Sequence, residues 1–438
     1  MTIELDGRYQ EPQRGLRRAV VLFSVFVLLA LLTAFSVRAD QSTPYIPASA
    51  GVVLQLVPAT SDPRVRQFDQ LRSDFNAHPQ DAKKAVVLAQ AYIDYGRSTG
   101  DARYLGRAMA VIAPFMSEKT PPIPVLMLHA TIQQSRHFFQ ASRDELAQIL
   151  KNDPGNPQAL LTLATVAMVQ GDHEVANRAC VALTNNAGNF MGMICTASLR
   201  SLSGKGPQAN ALLSYVEDPG PKAPPAIKSW IEGLMADNAA RMGNAQEADG
   251  HFRKALQLTP GDNFLLADYG EFLIDQGRAR DAIELVSNDR QSDTSFLVLV
   301  TAEKALGLPQ AKADMAEMDA RFKSMDERGD HVFMREEASY LLHVEHDPKA
   351  ALDLAEQNWR VQRAPKDVRV YLEAALAANS PMAAKPALEF VATTHLNDVQ
   401  IDPLIKQLQT ADVRADASSK SVAGASLDAS AAAVGSRR

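Results

Sequence analysis

The chain has 438 residues, of which 46% are hydrophobic, 22% charged and only 6% aromatic, a balance that fits an Ala- and Leu-rich helical protein and argues against a strand-rich one. Its formal charge of −6 is spread over interspersed acids and bases, so no basic stripe points to nucleic acid. The length suits two or three globular domains, unless the chain is a repeat array that grows by addition and needs no single large core.

At the N-terminus, Arg14, Arg17 and Arg18 precede an apolar run from Ala19 to Val37. As a helix of about 1.5 Å per residue the run spans about 28 Å, close to the ~30 Å hydrocarbon core of a bilayer. Val37-Arg38-Ala39 is also a passable cleavage site before Asp40. Residues 1–40 are therefore either a retained inner-membrane anchor or a signal peptide cleaved near Ala39. The arginines keep their end in the cytoplasm, so both readings place the rest in the periplasm.

Residues 41–80, rich in Pro, Ser, Asp and Gln, read as a linker or docking segment with one apolar patch, Val52 to Val57. Helices are expected from Asp81 onward: Ala82 to Gly96, a stretched loop Arg97 to Arg103 that is either a recognition loop or a tolerated insertion, then Tyr104 to Phe115. Hairpins beginning at Ile123 and Pro157 follow, then a looser one over Met191 to Val216. These make a first half, residues 81–217. The breaker run Asp218-Pro219-Gly220-Pro221-Lys222-Ala223-Pro224-Pro225 falls in a break, 218–228, that would let the halves pivot. The second half, 229–410, continues with paired helices at 296–306 and 310–325, 332–344 and 349–359, and 368–378 and 382–393, closed by a lone helix Pro403 to Gln409. The tail 411–438, rich in Ala, Ser, Gly and Asp, has almost nothing to bury and reads as disordered.

The strongest signal is periodic. Gly243 and Gly277 are 34 residues apart, as are Ala248 and Ala282, Phe252 and Val286, and Ala236 and Gly270. Counting Ser229 and Asn263 as position 1, small residues hold positions 8 and 20, glycine holds 15, a core residue holds 24, and Pro260 falls at 32. Walking the register backwards places Leu126, Ala130, Leu146 and Pro154 in one unit, and Leu160, Ala164, Gly171, Ala176 and Cys180 in the next, at equivalent positions. This spacing of small, Gly, apolar and Pro residues resembles the tetratricopeptide repeat. It departs where Glu232 and Leu266 replace the family's aromatic and where Thr294 stands for proline. The resemblance implies an all-α, right-handed superhelical solenoid whose first helices line a concave groove. It implies a non-enzymatic scaffold that binds a helix or extended peptide of a protein partner.

Carried over on the family's groove positions, the first half offers Met127, Thr131, Leu161, Thr165 and Met168, which lack the charge and amide that chaperone-binding members use for a carboxylate. The second offers Trp230, Asp237, Arg241, Phe264, Glu271, Ile274 and Asp275. Trp230 and Phe264 are the candidate anchors, because large aromatics supply much of the binding energy at interfaces.

Chemistry is harder to find. Cys180 and Cys195, the only cysteines, fall on helices that pack side by side, within reach of a disulfide. In an exported chain a bridge of 15 residues' separation would stabilise the fold by about 3 kcal/mol. Met191, Met193 and Cys195 form an alternating sulfur trio suited to Cu(I) only if extended, whereas a helix splays them apart. His343 and His346, beside Glu345 and Asp347, lie at a helix turn with no third ligand at a telling spacing. His129 is an inward-facing core histidine. No nucleophile elbow, phosphate loop, dinucleotide fingerprint, HExxH or paired CxxC is present, and no cofactor is expected. The rivals to a scaffold are a periplasmic metal carrier and an enzyme with a deep polar pocket beside Asp218 to Pro225.

Overall fold

The computed structural model describes residues 63–187, 189–216, 223–329 and 332–411. The chain divides into two units, Met1–Asp62 and Pro63–Arg438, and everything described lies in the second. The apolar run 19–37, the patch Val52 to Val57, most of the breaker run and the tail 412–438 lie outside the described residues. Among those described, no helix is long and apolar enough to cross a membrane.

Helix follows helix in antiparallel pairs: α1 (Pro63–Ala77), α2 (Ala82–Thr99), α3 (Arg103–Met116), α4 (Ile123–Ser135), α5 (Phe139–Asn152), α6 (Pro157–Val169), α7 (His173–Ala187), α8 (Asn189–Ser201), α9 (Gly206–Val216) and α10 (Pro225–Arg241). Then come α11 (Ala245–Leu258), α12 (Asn263–Asp275), α13 (Ala279–Val286), α14 (Asp293–Ala305), α15 (Ala311–Arg328) and α16 (Met334–Tyr340), which runs into a π-helical turn, Leu341–Glu345. The series ends with α17 (Pro348–Trp359), α18 (Pro365–Ala377), α19 (Lys385–Thr394) and a last helix, α20, over residues 402–411.

Local chemistry sets these boundaries. Gly243 and Gly277 sit at φ +82° and +71°, the left-handed conformation that ends α10 and α12 and that other residues adopt only at a cost. After Pro260, the Asp262 side chain accepts from Leu265 N at 3.1 Å and caps α12. Asn156 caps α6 in the same way. The small residue at position 8 has a cause that the hairpin picture misses. A Cβ on Gly270 would lie 2.5 Å from Val298 Cγ1, so the close neighbour is α14, the next first helix, rather than the antiparallel partner. Where the family pattern expects an aromatic, Glu232 is buried and its Oε2 pairs with His251 Nδ1 at 2.6 Å.

Two expectations need correction. Within the stretch read as linker, residues 63–77 form α1, which drives Phe68 into a nest of Tyr92, Tyr95 and Tyr104 with ring centroids 4.9–5.6 Å apart. The supposed loop Arg97 to Arg103 is mostly helix: α2 runs a further turn to Thr99 before Gly100 caps it. That extra turn brings Ser98 O to the Asn263 side-chain amide, 3.0 Å away and 165 residues on in sequence.

The buried apolar side chains form clusters in chain order, each drawing on consecutive hairpins, as a solenoid requires. Cys180 on α7 and Cys195 on α8 are joined by a disulfide, with their Cα atoms 5.4 Å apart.

Candidate functional site

On α12, Asp268, Glu271 and Asp275 are spaced i, i+3, i+7 and share one face of the helix. α18 lies across that face. Lys366 Nζ donates to Asp268 Oδ1 at 2.6 Å and to Glu271 Oε2 at 2.5 Å. One turn on, Arg369 makes a two-point contact with the Asp275 carboxylate at 2.5 and 2.8 Å. The Arg369 Nε also donates to Glu373 Oε1 at 2.8 Å, and Glu373 Oε2 meets His343 Nε2 at 3.0 Å. From α16, Arg335 adds a longer contact to Glu271, 3.4 Å, and a short one to Glu336.

Beside this zipper is a cavity of about 240 Å³ whose walls include Asp237, Arg241, Glu271, Phe272, Lys366 and Val399. Arg241 is fixed at one edge: its Nη2 donates to Ser201 Oγ at 2.5 Å, and its backbone oxygen accepts from Val399 N at 3.1 Å. Among the described residues its buried Nε has no hydrogen-bond partner. Asp237 is 4.0 Å from the Arg241 guanidinium and keeps 39% of its side-chain surface open.

Charge pairing decides which acids stay ionised. Burial works to raise the Glu271 carboxyl, but Lys366 and Arg335 outweigh it and hold it at about 2. Asp237 goes the other way: desolvation pushes it up, and the neighbouring Asp268 adds to the push. Asp367, buried at the start of α18, is raised to about 6 by burial even though Arg335 and hydrogen bonds from Asn358 and Ala364 N oppose the shift. Lys366 and Arg369 are desolvated, yet the carboxylates around them raise both above their usual values. The face can therefore hold cations or hydrogen-bond donors, and the chain's own α18 supplies them.

The structure thus brings Asp237, Arg241, Glu271 and Asp275 together at one cavity and leaves Trp230, Phe264 and Ile274 outside its lining. Trp230 is partly buried, packed against the apolar cluster that includes Ile194, Leu213 and Ile231. Ile274 is partly buried against the cluster that runs from Ala236 to Val344. Phe264 is 58% exposed. The residues that sequence reasoning missed are Lys366, Arg369 and Arg335, which reach the groove from 60 to about 100 positions away. The available signal was the acidic groove of α12 itself, which needs cations, and a Lys-x-x-Arg spacing on a later first helix.

The other candidates are accounted for locally. The Cys195 sulfur is committed to the disulfide, and Met191 and Met193 are partly buried against the apolar core around α8. His343 pairs with Glu373, His346 closes the π-helical turn at φ +60°, and Asp347 caps α17. His129 Nδ1 lies 2.6 Å from Glu145. Among the described residues no group of three or more His, Cys, Asp or Glu is arranged to hold a metal ion. The polar cavity is lined by the C-terminal end of α10.

No family model matches the sequence, and no curated protein matches it. Among solved structures, a tetratricopeptide repeat protein from Parabacteroides merdae is similar at 14% identity and a TM-score of 0.36, over 58% of this chain and 93% of that one. The human IFIT1 dimer with m7Gppp-AAAA is similar at 12% identity and a TM-score of 0.44, over 80% of this chain and 86% of that one. The 34-residue spacing of this chain's own helices stands independently of those likenesses.

Proposed function

We propose that the chain is a non-enzymatic scaffold of the bacterial cell envelope, held at the inner membrane by residues 19–37 or released after cleavage near Ala39, which receives a helix of a protein partner on its concave face. The observation that supports this reading is that side chains at i, i+3 and i+7 of α12 bond to cations on a second helix, α18, as they would to a partner's. A second support is Phe264, at the groove position equivalent to Trp230 in the next repeat and more than half exposed. Burying a side chain of that size is worth roughly 1.5 to 3 kcal/mol. The partner in this reading is a polypeptide, since the cations on this face are already matched to Asp268, Glu271 and Asp275 and leave no surplus to bind a phosphate backbone.

The test is site-specific photocrosslinking in the native cell, with the probe at Phe264, at Trp230 and at the exposed convex residue Val181. A discrete polypeptide adduct from Phe264 and none from Val181 is the expected result. Adducts only to the chain itself, or the same adducts from all three sites, would defeat the scaffold reading.

A further inference from the structure

The contact between α18 and α12 is made of ion pairs rather than apolar packing. Consecutive hairpins share apolar clusters, but the cluster running from Ala338 to Leu408 contains no residue from before α16, and that from Ala236 to Val344 contains none from α17 onward. What joins α18 and the segment after it to the earlier hairpins is polar. The Lys366 and Arg369 ion pairs lie on one side. On the other are two backbone hydrogen bonds, Arg363 N to Val169 O at 2.7 Å and Val399 N to Arg241 O at 3.1 Å. The other touches are few: Phe390 against Gly171 and edge-on to the His173 ring at 6.0 Å, Val399 against Gly243, and the His395 backbone against Gly204. Gly171 is at φ +74°, and a Cβ there would lie 2.5 Å from the Phe390 ring, so only glycine lets the two strips of chain approach.

We propose that α18 is a latch: the Lys366 and Arg369 ion pairs hold the array closed on itself, and the protein has an open state in which the inner face of α10 and α12 is exposed. Opening is a change of superhelical pitch spread over many hairpin interfaces, so it breaks no apolar cluster. The side chains in these ion pairs keep 25–40% of their surface open, which leaves the latch sensitive to screening ions. The latch rests on the scaffold reading only for its use, which is to keep the docking face covered until a partner competes for it.

The two cross-closure amides make the test specific. Hydrogen exchange of the full chain, purified in detergent, is followed at Arg363 and Val399 and at interior amides of α6 and α12. Raising NaCl from about 0.1 M to about 1 M shortens the screening length from about 10 Å to about 3 Å. It should speed exchange at Arg363 and Val399 by about tenfold or more while the helix interiors hold. Lys366→Glu with Arg369→Glu should show the fast exchange already at low salt. Arg369→Asp with Asp275→Arg, which swaps one pair, should return the protection that Arg369→Asp alone loses. If the two amides stay as protected as helix interiors under salt and charge reversal, or loosen only together with them, the closure is part of the cooperative fold and the latch is refuted. Because this measurement uses the isolated protein, it can fail while the photocrosslink succeeds, or the reverse.

Discussion

Asp367 and Glu271 sit on facing helices and respond to protons in opposite senses. Asp367 is raised to about 6, so the folded protein binds a proton that the unfolded chain has already lost, and stability rises as pH falls from above 6 towards 4. Glu337, raised to about 7 by burial and by Asp326, acts in the same sense. Ionised Asp367 costs the fold on the order of 2 to 3 kcal/mol. Glu271, depressed to about 2, contributes stability that is complete above the usual carboxylate range and is lost as pH falls towards 2. The thermal midpoint should therefore climb by a few degrees from pH 7.5 to about pH 4.5 and then drop. Asp367→Asn and Glu337→Gln should each remove part of the climb, and Glu271→Gln should soften the drop. A wild-type midpoint that declines steadily from pH 7.5 contradicts these assignments. None of this was visible in the sequence, where Asp367 is one carboxyl among many. Its burial depends on Asn358 and Arg335 arriving from two other helices.

Among the helices, the repeat is what the sequence displayed best. Its signals are local: a glycine that ends a helix, a capping Asp or Asn, a small residue at a fixed offset. Those signals located the starts of α4, α6 and α12 to the residue, whereas α10 begins at Pro225, four residues before Ser229 and inside the expected break 218–228, because Pro225 suits the first turn of a helix. They were weaker at α2, where nothing in Arg97 to Arg103 announces that the helix continues for another turn. Gly270 illustrates a finer limit, since its smallness was evident but the neighbour that demands it, Val298, is on a different hairpin. Gly270→Ala should therefore destabilise the second half by about 1 to 3 kcal/mol through overpacking, outweighing the helix propensity that alanine gains. Adding Val298→Ala should recover part of the loss, and a single variant more stable than wild type to urea would show that the site has slack. The disulfide acts at the same scale. Cys180→Ser with Cys195→Ser should cost about 2 to 4 kcal/mol, concentrated in α7 and α8, as read by loss of amide protection there with α12 unaffected.

For the molecule as a whole, periodicity could give the number and order of hairpins but not the closure, because ion pairs between Lys366 and Glu271 leave no pattern in a chain where they are 95 residues apart. The acids of α12 that Lys366 and Arg369 meet belong to the chain's own closure. That separation also sets a schedule. A chain that folds as it is made, at about 5 to 20 residues per second, completes α12 roughly 5 to 20 seconds before Lys366 emerges to meet it. During that interval Asp268, Glu271 and Asp275 face outward without their cations, so a newborn molecule passes through a period in which its inner surface is open to any basic helix nearby, whether or not the finished protein ever opens again.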